Sequence, residues 1–268
     1  MSPEIEKAIY SPTTAVTDPK AVLTTIAAFL KENSVQILLG ERLSRIDLTK
    51  KRIHTDNATY SYGHLINCAG AFADQVAHLM GVGSDYCILP FKGLYYKLSA
   101  DSPVKINSNI YPLPDARVPF LGVHFTKSIH GEVFIGPTAI PALGRENYHG
   151  LGGIKLAEAL SIASSCARQY VANKQEFRNL VHQELPKLMK SGFFKDARLL
   201  VKGLSMPHLM ASTKVGIRAQ LFNFKKGLLE MDFIVQKGPF STHVLNAVSP
   251  AFSSALTFSK YILDECLT

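Results

Sequence analysis

Few side chains in this sequence suit bond-making chemistry, and they are widely spaced. Arg218, in Gly216-Ile217-Arg218-Ala219-Gln220, carries a planar guanidinium that can grip a carboxylate through two parallel hydrogen bonds. His124, inside the strand-like run Phe120 to Ser128, offers an imidazole whose ordinary pKa of about 6.5 suits it to take up a proton near neutral pH. Lys92 adds a point charge, and Tyr95, Tyr96 and Tyr111 add aromatic walls. The remaining ingredient is backbone. Ala69-Gly70-Ala71 separates a short apolar run from a helical pattern, and such a tight turn points helix-start N–H groups at a ligand. Each feature has a structural alternative: an ion-paired arginine, a satisfied core histidine, core tyrosines, a turn that only permits close packing. No diagnostic motif joins them. G-x-S-x-G, G-x-x-x-x-G-K-[ST] and H-E-x-x-H are absent, against the commonest serine hydrolase, P-loop and zinc protease chemistries, and Leu151-Gly152-Gly153 fits no dinucleotide fingerprint.

The elements that must position these residues belong to a chain of 268 residues, enough for one large or two small domains at roughly 150 residues each. With 47% hydrophobic and 19% charged residues it is neither disordered nor fibrous. The net charge of +8 admits a polyanion, a membrane surface or an acidic small substrate. The densest basic runs, Lys50-Lys51-Arg52 and Lys225-Lys226, read as solvated hairpin tips, and no aromatic-interleaved basic element accompanies them, so no nucleic-acid partner is expected. Cys68, Cys87, Cys166 and Cys266 lie far apart with no metal-site spacing and are expected as free thiols. Met1 to Lys7 lacks the blocks of a signal peptide, and no apolar run approaches the roughly 18 residues of a bilayer span, so a cytoplasmic protein is expected.

Periodicity predicts a helix over 18–33, opened by Asp18-Pro19, then a strand over 35–39 and a meander over 42–48, 51–55 and 58–62. A strand over 64–68 leads through the small-residue turn into a helix over 72–80, stopped by Gly81. Strands follow at 91–98, 106–111, 120–128 and 132–137, with a turn at Ile129-His130-Gly131. Helices are predicted over 156–172, 174–190 and 197–202, strands over 216–223, 232–236 and 243–246, and a last helix over 249–265.

Seven segments, in one order along the chain, resemble the L-2-hydroxyglutarate oxidase/dehydrogenase family of FAD enzymes, within the D-amino-acid-oxidase-like superfamily. They are Leu65-Ile66-Asn67-Cys68-Ala69-Gly70-Ala71-Phe72-Ala73-Asp74, Pro90-Phe91-Lys92-Gly93-Leu94-Tyr95-Tyr96, Ile110-Tyr111-Pro112-Leu113-Pro114-Asp115, and Pro119-Phe120-Leu121-Gly122-Val123-His124-Phe125-Thr126. Ile135-Gly136-Pro137-Thr138-Ala139, Gly216-Ile217-Arg218-Ala219-Gln220 and Asn246-Ala247-Val248-Ser249-Pro250-Ala251 complete the set, and the likeness runs from about Ile9 to the C-terminus.

The resemblance implies a mixed α/β and α+β fold: an incomplete Rossmann-like FAD-binding domain, discontinuous over 1–86 and 206–268, and an antiparallel-sheet substrate domain with helices over 87–205. It implies oxidation of an L-2-hydroxyglutarate-like 2-hydroxy acid to the 2-oxo acid by hydride transfer to flavin. His124 and Arg218 would then be catalytic, with Lys92, Tyr95, Tyr111 and Arg218 binding substrate. Leu43, Gly70 and Ala71 would lie by the adenosine side of FAD, and Asn246, Ser249 and Pro250 by the flavin pyrimidine. Lys92 departs from the Arg usual in the family, keeping the charge and losing the fork. The family pattern also opens with a G-x-G-x-x-G nucleotide-binding turn that this sequence lacks. Residue 1 falls well inside that pattern, so an absent N-terminal FAD-binding segment is expected, either supplied by a separate chain or lost from a truncated gene product. Peripheral association with the inner membrane is implied if electrons leave to a quinone. A non-catalytic remnant of the family that binds no FAD stays open beside the catalytic reading.

Overall fold

The computed structural model describes Ile5, residues 7–114 and residues 120–267. Helix α1 (Pro19–Glu32) starts where expected: the Asp18 side chain accepts from the Lys20 N–H at 2.9 Å, and Pro19 occupies the first turn. Then come β1 (Leu43–Asp47), β2 (Arg52–Thr55), β3 (Thr59–Ser61) and β4 (Leu65–Asn67), a 3-10 turn at Gly70–Phe72, and α2 (Ala73–Leu79). Strands β5 (Tyr86–Leu98), β6 (His124–Lys127), β7 (Val133–Gly136) and β8 (Ile140–Pro141) precede α3 (Leu156–Ala172), α4 (Phe177–Glu184) and α5 (Lys190–Leu200). The chain ends through β9 (Leu209–Asn223), β10 (Leu228–Leu229), β11 (Ile234–Gly238), β12 (Ser241–Asn246) and α6 (Ala255–Leu267).

Two compact units form. The first comprises Met1–Ile37, Lys92–Ile140 and Glu176–Gly216; the second comprises Leu38–Phe91, Pro141–Gln175 and Ile217–Thr268. In the first, β5 pairs antiparallel with β7 through Tyr96 and Lys97, and β7 pairs with β6. Their apolar faces close on α5, burying Phe125, Ile135, Phe193 and Ala197 completely. Tyr96 lies with its ring centroid 4.7 Å from that of Phe193. Each such aromatic side chain contributes about 1.5–3 kcal/mol through burial, so these few residues hold the sheet to the helix.

In the second unit, β12 runs parallel to β4 and antiparallel to β11. Helices α2 and α6 both pack against β12. Ala73 and Ala77 are fully buried where α2 meets Ile88, Leu221 and Leu245, small side chains that bring helix and sheet close. The meander β1-β2-β3 forms as expected, and both basic runs sit on hairpin tips, Lys50 and Lys51 between β1 and β2, Lys225 and Lys226 between β9 and β10. Strand β10 is the terminal strand of its sheet and, among the described residues, pairs with β9 alone.

Four expectations are corrected. Residues 35–39 form no strand: Val35, Leu38 and Leu39 are exposed, and a lone extended segment has no ladder to hold it. The expected strand over 106–111 reduces to one bridge, Ile110 to Phe125. The expected helix over 174–190 is interrupted, because Gln175 and Glu176 take left-handed φ values of 53° and 54° and a second 3-10 segment containing Pro186 follows α4. The last helix begins at Ala255, since the Pro250 carbonyl accepts from the Ser254 N–H and from the Ser253 and Ser254 hydroxyls in a separate turn.

Candidate functional site

The predicted residues divide between the units. Lys92, Tyr95, Tyr111 and His124 belong to the first, and Leu43, Gly70, Ala71, Arg218, Asn246, Ser249 and Pro250 to the second. Asp115 and Pro119 of the resembling segments, and Met1–Glu4 and Glu6, lie outside the described residues.

In the first unit, His124 opens β6 and is half-buried. Its Nδ1 lies 2.9 Å from the Gly122 carbonyl. A carbonyl only accepts, so Nδ1 carries the hydrogen and Nε2 is the acceptor nitrogen of the neutral ring. The Tyr111 ring packs 4.8 Å from the imidazole, centroid to centroid, at 40°, and Asn109 Nδ2 donates to the Tyr111 hydroxyl at 3.2 Å. Lys92 is half-buried on β5, and burial pulls its pKa below the ordinary lysine value. Thr138 fastens the backbone beside it, accepting from the Leu94 N–H at 3.0 Å and donating to the Lys92 carbonyl at 3.2 Å. Gly136, at φ 143°, completes this packing: a Cβ there would fall 2.7 Å from the Leu94 carbonyl oxygen and 2.9 Å from Tyr95 Cδ1. Lys214, which the sequence did not single out, holds its Nζ 4.8 Å from the Tyr95 ring and 4.4 Å from the Phe134 ring.

In the second unit, the small-residue turn follows the carboxyl end of β4. Gly70 takes φ 54°, with open space where a Cβ would stand, and its 3-10 turn packs against β12. Leu43 opens β1 half-buried, Arg218 sits half-buried on β9, and Ser249 and Pro250 are exposed ahead of α6. Asn246 ends β12 at 2% exposure. Its amide nitrogen donates to the Asp232 carbonyl at 2.7 Å and to the Glu230 carbonyl at 3.3 Å, while its Oδ1 has no hydrogen-bond partner. Buried acceptors are nearly always satisfied, so this one marks a place where a donor belongs.

A charged cluster fixes the same turn. Asp74, 2% exposed in the first turn of α2, accepts from the Ile88 N–H at 2.9 Å and from both terminal nitrogens of Arg145. Arg145 also donates to the Ala71 carbonyl at 2.5 Å and to Glu158 at 2.9 Å. Burial acts to lower the Arg145 pKa, and hydrogen bonding and charge from Asp74, then Glu158, outweigh it and hold it raised. Periodicity could not single out Arg145, whose partner Asp74 is 71 residues away in sequence. Asn67 Nδ2 donates to the Ala73 carbonyl at 2.8 Å and to His243 Nδ1 at 3.0 Å, so the buried His243 is neutral, with hydrogen on the Nε2 that meets Ser241 at 2.9 Å. The four cysteines are free thiols, and among the described residues no helix is long and apolar enough to cross a membrane.

Over residues 1–194 the sequence matches the family described as FAD dependent oxidoreductase. It is 33% identical over 263 residues to L-2-hydroxyglutarate dehydrogenase of Indibacter alkaliphilus, covering 97% of this chain and 65% of that protein. The same-named protein of Escherichia coli K12 is 29% identical over 264 residues, covering 97% and 61%. The chain thus spans a little under two thirds of the length of these curated relatives. Among solved structures, FAD-bound L-alpha-glycerophosphate oxidase from Mycoplasma pneumoniae superposes with a TM-score of 0.60 at 17% identity, covering 91% of this chain and 53% of that one. Glycine oxidase from Bacillus cereus gives 0.50 at 10% identity, covering 90% and 55%. At such identities these two likenesses concern the fold alone.

Proposed function

Because the chain belongs to the FAD-dependent oxidoreductase family, we propose that it forms part of the flavin cradle and the substrate surface of a dehydrogenase acting on an L-2-hydroxyglutarate-like 2-hydroxy acid. The observation that carries the cofactor assignment is Asn246. Ligands of α/β sheets bind beyond the carboxyl ends of the strands, and there a buried acceptor without a donor ends the strand against which the open Gly70 turn packs. Asn246 Oδ1 accepts from a donor of the flavin ring, beside Ser249 and Pro250. Gly70, Ala71 and the Leu43 backbone receive the adenosine side. FAD, when bound, supplies the two-electron acceptor for oxidation of the 2-hydroxy acid to the 2-oxo acid. Within the second unit Arg218 can grip a substrate carboxylate bidentately; within the first, Lys92 offers a point charge for a carboxylate and Tyr95 and Tyr111 offer aromatic walls. His124, held by the Gly122 carbonyl and the Tyr111 ring, takes the hydroxyl proton at Nε2.

These 268 residues contain no G-x-G-x-x-G turn, so the test pairs this chain with the part of a curated relative that it does not cover. The pair is expected to quench FAD fluorescence and to reduce an artificial acceptor with L-2-hydroxyglutarate. Asn246→Leu weakens FAD uptake, and Arg218→Lys raises KM for the diacid far more than for a 2-hydroxy monoacid. No FAD uptake by the pair would remove the assignment and leave a non-catalytic relative; an unchanged diacid preference would remove Arg218 from its role.

A further inference from the structure

Helix α3 turns a polar stripe toward a cavity of about 450 Å³ in the second unit. Ser161, Ser164, Ser165, Arg168, Gln169 and Ala172 all line it, at helical spacings of three and four. The remaining wall includes Lys174 and, from the β9–β10 hairpin, Phe222 and Lys225. Its volume falls within the roughly 300–1,000 Å³ of ordinary small-molecule sites.

The chemistry of this lining is one-sided. Arg168, Lys174 and Lys225 are cations, Lys225 with its Nζ 3.5 Å from the Asp85 carboxylate, and among the described residues no carboxylate lines the cavity itself. Gln169 is 1% exposed, and its Nε2 has no hydrogen-bond partner, so a buried donor waits for an acceptor there. The Ser161 and Ser165 hydroxyls on the same helix face can turn to donate, and that of Ser164 can do so by leaving the Ser161 carbonyl, to which it donates at 2.9 Å. The walls are also held in place. The Gln175 side chain bonds the Leu229 backbone twice, Nε2 to the carbonyl at 3.0 Å and Oε1 from the N–H at 2.8 Å. Lys174 Nζ donates to the Lys226 carbonyl at 2.5 Å. These bonds fasten the segment after α3 to the hairpin, so the two backbone walls of the cavity are joined before any ligand arrives.

We propose that this cavity binds a small phosphorylated metabolite through its phosphate. A planar carboxylate presents two oxygens in one plane, whereas a phosphate group presents three acceptor oxygens and close to two negative charges, matching an amide donor, hydroxyls and three cations. None of the residues assigned in the preceding subsection lines the cavity, and the two assignments fail separately.

Inorganic pyrophosphate is the probe, titrated calorimetrically into the full chain at physiological ionic strength. Saturable one-site binding is expected. Arg168→Ala, a change at an exposed position, weakens it by about tenfold or more, the loss of one charge-assisted contact. Gln169→Met acts in the same direction, with far-UV circular dichroism checking the fold, and Ser165→Ala takes its place if that variant unfolds. Malonate binds more weakly than pyrophosphate, and Lys50→Ala, on the other basic hairpin tip, leaves binding unchanged. Binding that does not saturate, an affinity unchanged in Arg168→Ala, or malonate binding as tightly as pyrophosphate would each overturn the proposal.

Discussion

The Asp74–Arg145 pair offers the sharpest test of how the small-residue turn is held. Replacing Arg145 by Met keeps most of the apolar stem and removes every bond of the guanidinium. Asp74, 2% exposed, is then left with the Gln75 and Ile88 N–H groups at 2.8 and 2.9 Å, and the Ala71 carbonyl loses its donor. Breaking one side of a buried ion pair costs about 3–5 kcal/mol, a large part of the about 5–15 kcal/mol that a domain has in total. Asp74→Asn in the same chain removes the stranded charge yet keeps an oxygen for the Ile88 N–H. The double variant should therefore lose only about 1–3 kcal/mol, the cost of the remaining unpaired groups. The two single losses should exceed the double loss by about 2 kcal/mol or more. Urea unfolding read by far-UV circular dichroism gives the four corners of the cycle, and amide exchange at Ile88 gives a local readout. If Arg145→Met costs under about 1 kcal/mol, or the two losses simply add, the reasoning about this cluster is wrong.

Three other outcomes follow from burial and charge. Burial, with His64 nearby, pushes the His243 pKa down, so the unfolded chain takes up a proton that the folded chain refuses. Stability should fall as pH drops below about 6.5, and His243→Gln should flatten that limb of a urea-midpoint profile. Burial acts to lower the Lys187 pKa, but Glu184 at 2.6 Å and Asp196 at 3.0 Å outweigh it and hold it above 10.5. Its contribution is full below that value and lost as pH rises through the raised one, and Lys187→Met should abolish this alkaline loss. Burial pushes the Cys87 and Cys166 thiols up to about 11, so alkylation of either, followed by mass spectrometry, should quicken about tenfold per pH unit toward that value. A plateau near the ordinary thiol value of about 8.5 would contradict this.

Local signals made parts of the fold readable. Asp18-Pro19 sets the start of α1, β-branched runs parted by turn residues set the β1-β2-β3 meander, and the expected helix over 156–172 coincides with α3. Local signals do not suffice where a distant partner decides the outcome. Val35 to Leu39 has strand composition but no neighbour to pair with, and the left-handed Gln175 is held by Leu229, 54 residues away. Site residues divide in the same way. Types such as Arg218 and His124 could be picked from chemistry and resemblance. Arg145 and Gln169 are conspicuous only through a contact made or a contact missing in three dimensions.

The Gln175 amide has one further consequence. Leu229 lies on a terminal strand, and its outward N–H and C=O are both taken by that single side chain. The amide imitates one residue of a neighbouring strand, so this margin of the sheet cannot recruit a second molecule at that position. Protection against edge-to-edge aggregation is thereby built into the same residue that anchors the segment after α3, without a proline, a bulge or a charge on the strand itself.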